Sequence, residues 1–258
     1  MEDRALGEVV EFFLRRSRFE QQAAETLRRA LDEVIDGMRT GRWSVESLEK
    51  TEKTYIGTKV EILFRFEFEL DEGQVLDTRI QGHEVDIKCT VQKDWMIPRE
   101  ALNRLCLLVQ VDDARSRFSI GVVRAGLSVL RAGQNRDQKS SLSAEGKRAI
   151  RWLVKDGKLP ENFLAGLDES VRARIMSQPS GQLRINELLR SVQGRIIPRV
   201  AIETVARQKD PMKRVRDARA ALLGEGILVL GHQGKDPKIA RSKGYSAPRK
   251  GEVLAVSA

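Results

Sequence analysis

Apolar residues change their spacing twice along this chain, and that change restricts its fold more than any other feature. Over residues 4–16 they recur at helical intervals, with Leu6, Val9, Val10, Phe13 and Leu14 on one stripe. Residues 20–38 repeat the pattern with Ala23, Leu27, Leu31, Val34 and Ile35, and Gly37 and Gly41 surround the expected helix end. Over 60–70 the interval becomes two. Val60, Ile62, Phe64, Phe66 and Phe68 fall on one face, and Glu61, Arg65, Glu67 and Glu69 fall with Leu63 on the other. That alternation predicts a strand whose phenylalanines enter the core. Residues 71–73 form a turn, and 75–82 are short and mixed. Further strands are expected over 85–91, 105–112 and 118–124, the second buried on both faces because its apolar run is continuous. Residues 142–155 return to helical spacing, with Ser143 placed to cap the first turn. The succession predicts a mixed α/β domain with a sheet in its middle.

Charge divides the chain further. The net charge is +9, and residues 181–258 hold 16 Lys/Arg against 7 Asp/Glu, while the first 180 balance at 30 and 30. The whole excess therefore lies in the last third, the footprint of a unit that holds a polyanion. Breaker-rich stretches at 156–160 and 177–181 put the linker between about 156 and 170. The expected domains are 1–160 and 161–258. No internal repeat is seen. The longest apolar runs are too short to span a bilayer, so no membrane partner is expected. No basic and apolar leader opens the chain. Cys89 and Cys106 form no CxxC pair, so neither a disulfide scaffold nor a zinc finger is expected, and a reducing cytoplasm is the expected location.

The chemistry is carried by Asp77, Asp86 and Lys88. Asp86 and Lys88 are two apart on an expected strand, so they share a face. Asp77 comes from the preceding element, and Glu61 from the charged side of the long strand before it. Hard divalent cations take oxygen ligands, and Mg²⁺ commonly uses one or two carboxylates, water and phosphate oxygens. Such an ion activates water and offsets charge on a phosphodiester, while a nearby ammonium orients the attacking water or stabilises the transition state. Asp77 and Asp86 are therefore candidate ligands for Mg²⁺, with Mn²⁺ as a substitute. Glu61 is a third ligand or a group behind the ligands, and Lys88 is the catalytic lysine. Glu84 competes with Asp77, since it shares the face of Asp86 and Lys88. On spacing alone, two acids and a lysine on a strand are more often a solvated face of weak ion pairs. The only histidines, His83 and His232, are far apart in the chain, so a histidine metal site is not expected.

The last third reads as two short helices at 185–192 and 198–207, then a helix capped by Asp210 with Pro211 at its first position, ending at Gly224 or Gly226. A strand at 227–230, a turn at 231–234 and a basic segment follow, with 241–251 expected to be loosely held. Three helices, a strand and a basic loop resemble a winged helix-turn-helix, whose third helix enters the major groove. Candidate DNA contacts are Arg207, Lys213, Arg214, Arg216, Arg219, Lys235, Lys238, Arg241 and Lys243, joined by Lys93 and Arg99 after the catalytic strand. Tyr245 is the one aromatic of the last third, so stacking on single strands is not the expected mode.

The stretch 61–90, EILFRFEFELDEGQVLDTRIQGHEVDIKCT, resembles the active-site region of the NaeI-type restriction endonucleases, which carry a variant of the PD-(D/E)xK nuclease motif. The family's three acidic positions and lysine match Glu61, Asp77, Asp86 and Lys88. Residues 30–37, ALDEVIDG, resemble the family's stretch akin to a DNA-ligase motif, with Val34 where a ligase has its lysine, so no covalent nucleotide adduct is expected there. The resemblance implies a restriction-endonuclease-like central sheet flanked by helices, a C-terminal DNA-binding domain and a prokaryotic source. It also implies a homodimer cutting duplex DNA to leave 5′-phosphates, a second duplex bound as effector, and a cognate methyltransferase in the same system. The competing functions are a repair nicking endonuclease with the same site and a winged-helix regulator without catalysis.

Overall fold

The computed structural model describes residues 3–131, 133 and 138–258. Its helices and strands run α1 (Arg4–Leu14), α2 (Phe19–Ile35), α3 (Gly37–Thr40), α4 (Lys50–Glu67), β1 (Asp71–Glu72), β2 (Thr78–Ile80), β3 (His83–Thr90), β4 (Met96–Ile97), β5 (Leu105–Asp112), β6 (Arg117–Arg124), β7 (Ser140–Ser141), α5 (Ala144–Ala149) and β8 (Arg151–Lys158). They continue as α6 (Glu169–Met176), α7 (Gly181–Ser191), β9 (Ile196–Ile197), α8 (Arg199–Ala206), α9 (Pro211–Leu223), β10 (Ile227–Leu230), α10 (Asp236–Ser242) and β11 (Val253–Ser257). The chain divides into two compact units, Met1–Val34 with Leu48–Glu161, and Ile35–Ser47 with Asn162–Ala258. No helix among the described residues is long and apolar enough to cross a membrane.

The first unit is built on a mixed sheet of order β1-β2-β3-β5-β6-β8. Only the β3–β5 pair is parallel among these neighbours. β5 lies inside the sheet, and its run from Leu105 to Val109 is buried on both faces, as its unbroken apolar sequence requires. α4 packs on β3, and α1 on β6 and β8. Rings of Phe13, Phe19, Phe64 and Phe68 meet 5.0–5.9 Å apart and tie α1, α2 and α4 together. The opposite face of β5, with Cys106 and Leu108, packs with Trp95, Ile97, Leu142 and Ile150.

Besides residues 71–72, read as part of a turn but paired with β2 as β1, two expectations fail here. Residues 60–67 are the end of a helix, not a strand. Val60, Phe64 and Phe68 are four apart, so the set that satisfies a two-residue alternation also satisfies one helical stripe, and Ile56 extends it. Ile62 and Phe66, which a strand would bury with them, are 47% and 77% exposed. The helix starts with a capping box in which the backbone N–H of Glu49 donates to Glu52. The second failure is the expected helix over 142–155. Ser143 does cap a helix, accepting from the Gly146 amide at 3.0 Å, but Ile150 is extended and β8 follows. The edge of β6 supplies ladder partners for 151–158, and the β-favouring Trp152 and Val154 take them. Gly121 of β6 makes room, since a Cβ there would stand 2.4 Å from Ile150.

In the second unit, α6–α9 enclose a core of Ile185, Leu188, Ile202, Val205, Val215 and Leu222 against a three-stranded antiparallel sheet of order β10-β11-β9. The caps are those expected: Asp210 accepts from the Lys213 amide at 2.9 Å, with Pro211 in the first turn. The segment read as a basic loop instead contains α10, and the chain after it returns as β11 through the middle of the sheet. Residues 35–47 also pack in this unit, which no sequence pattern announces. A Cβ on Gly37 would stand 2.3 Å from Thr204 Oγ1, so only glycine lets α3 lie this close to α8. Gly41, at φ +72°, lies under the Arg207 guanidinium. The Trp43 ring faces the Arg172 guanidinium at 5.5 Å, and the Trp43 carbonyl accepts from Asn162 Nδ2 at 2.6 Å.

Candidate active site

β3 carries Asp86 and Lys88 on one face, and the loop between β1 and β2 delivers Asp77 to them. Lys88 Nζ donates to Asp86 Oδ1 at 2.7 Å and reaches Asp77 Oδ2 at 3.4 Å. Asp77 Oδ2 also accepts the Ile87 backbone N–H at 2.7 Å. Past Val85 the pairing of β3 with β2 has ended, so the Asp77 carboxylate takes the place of the next strand's carbonyl. Asp77, Asp86 and Lys88 are thus brought together. Glu61 approaches from α4 rather than from a strand. Its distance is short enough that Asp77 and Lys88 both act on its titration.

The electrostatics follow from burial. Asp86 is 3% exposed. Desolvation pushes its carboxyl up to about 6 against the pull of Lys88, and the charge on Asp77 pushes the same way. Burial works against the Lys88 ammonium, but the Asp86 and Asp77 carboxylates outweigh it and hold its pKa above the ordinary lysine value. Burial and the negative charge of Asp77 raise Glu61, with Lys88 opposing them. Asp86 Oδ2 is buried without a hydrogen-bond partner, an orphaned acceptor of the kind that a cation would satisfy. No cluster of three or more His, Cys, Asp or Glu side chains among the described residues forms a ready cation cage. The donor set still fits a hard ion that keeps most of its water and uses one or two carboxylates.

The alternative carboxylate, Glu84, is turned away from Lys88. It accepts the backbone N–H groups of Gln74, Val75 and Leu76 at 2.8–3.0 Å, and those amides hold its pKa below the usual carboxylate range. Trp95 belongs to the core, donating from Nε1 to the Val109 carbonyl at 2.8 Å. Lys93 and Arg99 are exposed beyond β3. Cys89 and Cys106 are free, and burial pushes the Cys89 thiol up to about 12.

In the second unit the expected DNA contacts form an exposed basic surface, with Arg214 half-buried. Several already face acids. Lys213 and Arg214 meet Asp217 at 2.7 and 3.5 Å, Arg216 meets Asp210 at 3.3 Å, and Arg219 meets Asp236 at 2.7 Å. Lys243 donates to the Ser257 carbonyl. Lys235, Lys238, Arg241 and Arg207 are exposed. α9, the 231–236 turn and residues 250–253 line a cleft of about 820 Å³ that adds Arg199 and Lys250 to the basic set. Sequence reasoning missed both, although the charge count of the last third included them.

The family model described as restriction endonuclease NaeI matches residues 8–258 of this chain. The chain is also similar to the type II restriction enzyme NaeI of Lentzea aerocolonigenes, with 44% identity over 245 residues, 91% of this chain and 77% of that protein.

Proposed function

Since the chain belongs to the restriction endonuclease NaeI family, we propose that it is a type II restriction endonuclease that hydrolyses both strands of duplex DNA at a specific short sequence. The observation that carries this reading is Lys88, held between the carboxylates of Asp77 and Asp86 with Glu61 in electrostatic reach. Asp77 and Asp86 would hold a divalent cation, Mg²⁺ or in its place Mn²⁺, with Glu61 as a third ligand or behind the other two. Bound there, such an ion supplies Lewis-acid stabilisation of the phosphoryl oxygens and an activated water.

The protein's own groups do the rest. Ile87 N–H fixes Asp77 Oδ2 and so aims that carboxylate at the site. Asp86, held by its strand and by Lys88, presents Oδ2 to the site. Lys88 stays protonated. When the scissile phosphate enters, Nζ can donate to a non-bridging oxygen or orient the attacking water in line with the leaving 3′-oxygen.

The second unit is proposed as the DNA-holding module. α7, α8 and α9 followed by β10 and β11 keep the order of a winged helix-turn-helix, and the exposed cations of α9, the 231–236 turn and α10 supply phosphate contacts. Exposed acid–base pairs there are weak enough for phosphates to displace the acids. A homodimer in a prokaryotic cytoplasm, an effector duplex at this unit and a methyltransferase protecting the host site complete the proposal.

The test is digestion of a plasmid library with Mg²⁺ by the wild type and Asp86→Ala, followed by mapping of ends. Discrete double-strand ends at one short sequence, absent in the variant, are expected. Nicks on one strand would point to a repair enzyme, and duplex binding without cleavage to a regulator.

A further inference from the structure

Residues 73–77 join β1 to β2, and they end at Asp77. A loop of this length has no ladder of its own. Its shape comes instead from Glu84 of β3, whose Oε1 accepts the Gln74 amide at 3.0 Å and whose Oε2 accepts the Val75 and Leu76 amides at 3.0 and 2.8 Å. Three successive backbone N–H groups converging on one anion form a nest, an arrangement that holds its backbone tightly. The fold around it is correspondingly close. A Cβ on Gly73 would lie 2.1 Å from the Leu76 carbonyl oxygen and 3.0 Å from Glu84 Oε2. The Leu76 side chain is anchored in the core beneath. On the far side of Asp77, Thr78 Oγ1 donates to the Asp71 carbonyl at 2.7 Å and closes the hairpin.

We infer that Glu84 is a positioning residue for cleavage: by gathering the amides of 74–76 it sets the backbone of Asp77, so that the Asp77 carboxylate meets the Ile87 amide and Lys88. Glu84 touches neither Asp86 nor Lys88 in this arrangement, and its effect runs through Asp77 alone. The same strand thus supplies both the reacting pair, Asp86 and Lys88, and the clamp that brings their partner into register two residues earlier. The inference rests on the proposed active site, and its test separates the two.

Glu84→Ala, the isosteric Glu84→Gln and Asp77→Asn are compared with the wild type. Glu84→Ala is expected to lower kcat by roughly 10–100-fold, the usual cost of removing a group that orients a metal-site carboxylate. Its affinity for the cognate duplex without divalent metal, and KM, should stay within about twofold, because the Glu84 carboxylate is taken up by the 74–76 amides. Glu84→Gln preserves shape and one acceptor and should fall between. Amide hydrogen exchange on metal-free protein gives a readout independent of activity. Protection should drop at 74–76 and also at Ile87, whose amide depends on Asp77. Faster exchange at 74–76 with Ile87 unchanged would overturn the inference, since the loop would then move without Asp77. Wild-type kcat in Glu84→Gln and Glu84→Ala would overturn it equally. Full cleavage by Asp77→Asn would instead reject the active-site reading itself.

Discussion

Lys88 is the residue on which most of the site's geometry converges. Its ammonium is the shared partner of a buried carboxylate and a half-buried one, so its removal has two effects. Lys88→Met should lower kcat by about 100-fold or more, in line with the removal of one preorganised donor at a reacting centre. It should leave metal-free duplex binding intact, as a filter-binding assay can show. It also leaves Asp86 buried without its cation, so the same variant should be less stable at pH 8 than at pH 5, where Asp86 takes up a proton. A second residue-scale effect lies at Asp32. Arg28 bridges Asp32 and Asp113 at 2.8 and 2.5 Å, yet burial outweighs this pairing and pushes Asp32 up to about 6. An acid whose folded pKa is raised stabilises the fold below its unfolded value, near 3.8, and that contribution is lost as pH rises through about 6. Asp32→Asn should therefore flatten the fall in stability between pH 4 and 6, measured by urea denaturation across that range. That Asp86 and Lys88 share a face was legible, because two residues separated by one other on a strand fix a face by period alone. Spacing alone left Asp77 and Glu84 both open, because both can reach that face; the family resemblance pointed to Asp77, and in the structure the 74–76 amides engage Glu84.

Elements were legible where one period fitted and illegible where two did. β3, β5 and β6 have apolar runs or alternations that no helix stripe reproduces. In α4, by contrast, Val60, Phe64 and Phe68 obey both periods, and the exposed Ile62 and Phe66 complete a false alternation. The capping box at Glu49 and Glu52 was the signal that could have decided it. A pair of substitutions checks the assignment in solution. Phe64→Ala should cost about 3–5 kcal/mol, as expected for a buried ring, while Phe66→Gln should stay within about 0.5 kcal/mol. Chemical denaturation of both variants gives the comparison, and equal losses would argue for a strand with both rings inside. β8 was missed for a different reason: its pairing edge on β6 is distant in sequence, and no local pattern announces a partner.

At the scale of the whole molecule, the charge count foretold where basic surface would gather but not its relief. Lys235, Lys238 and Arg241 are the exposed cations on which the DNA-holding proposal most depends. Replacing all three by Gln should weaken binding to unrelated duplexes as much as to cognate ones. It should also reduce the slope of log K against log salt by about 0.9 for each phosphate no longer neutralised. An unchanged slope in fluorescence anisotropy would mean that other cations hold the phosphates. The division of the chain was only partly readable, because a linker leaves a compositional trace and a docked segment does not. Nothing in residues 35–47 apart from their two glycines hints that Thr204, Arg207 and Arg172 await them.

That docking has a consequence for how the protein is made. Residues 35–47 leave the ribosome well before the helices that receive them, α6 to α9, and the central strand β11. At ordinary elongation rates the delay is on the order of tens of seconds. Through that interval Trp43 has no Arg172 to face and Gly37 no Thr204 to lie against. The first unit can close over its own sheet once residue 161 has emerged, but the second cannot close before β11 is made and must then recapture a stretch of chain synthesised long before.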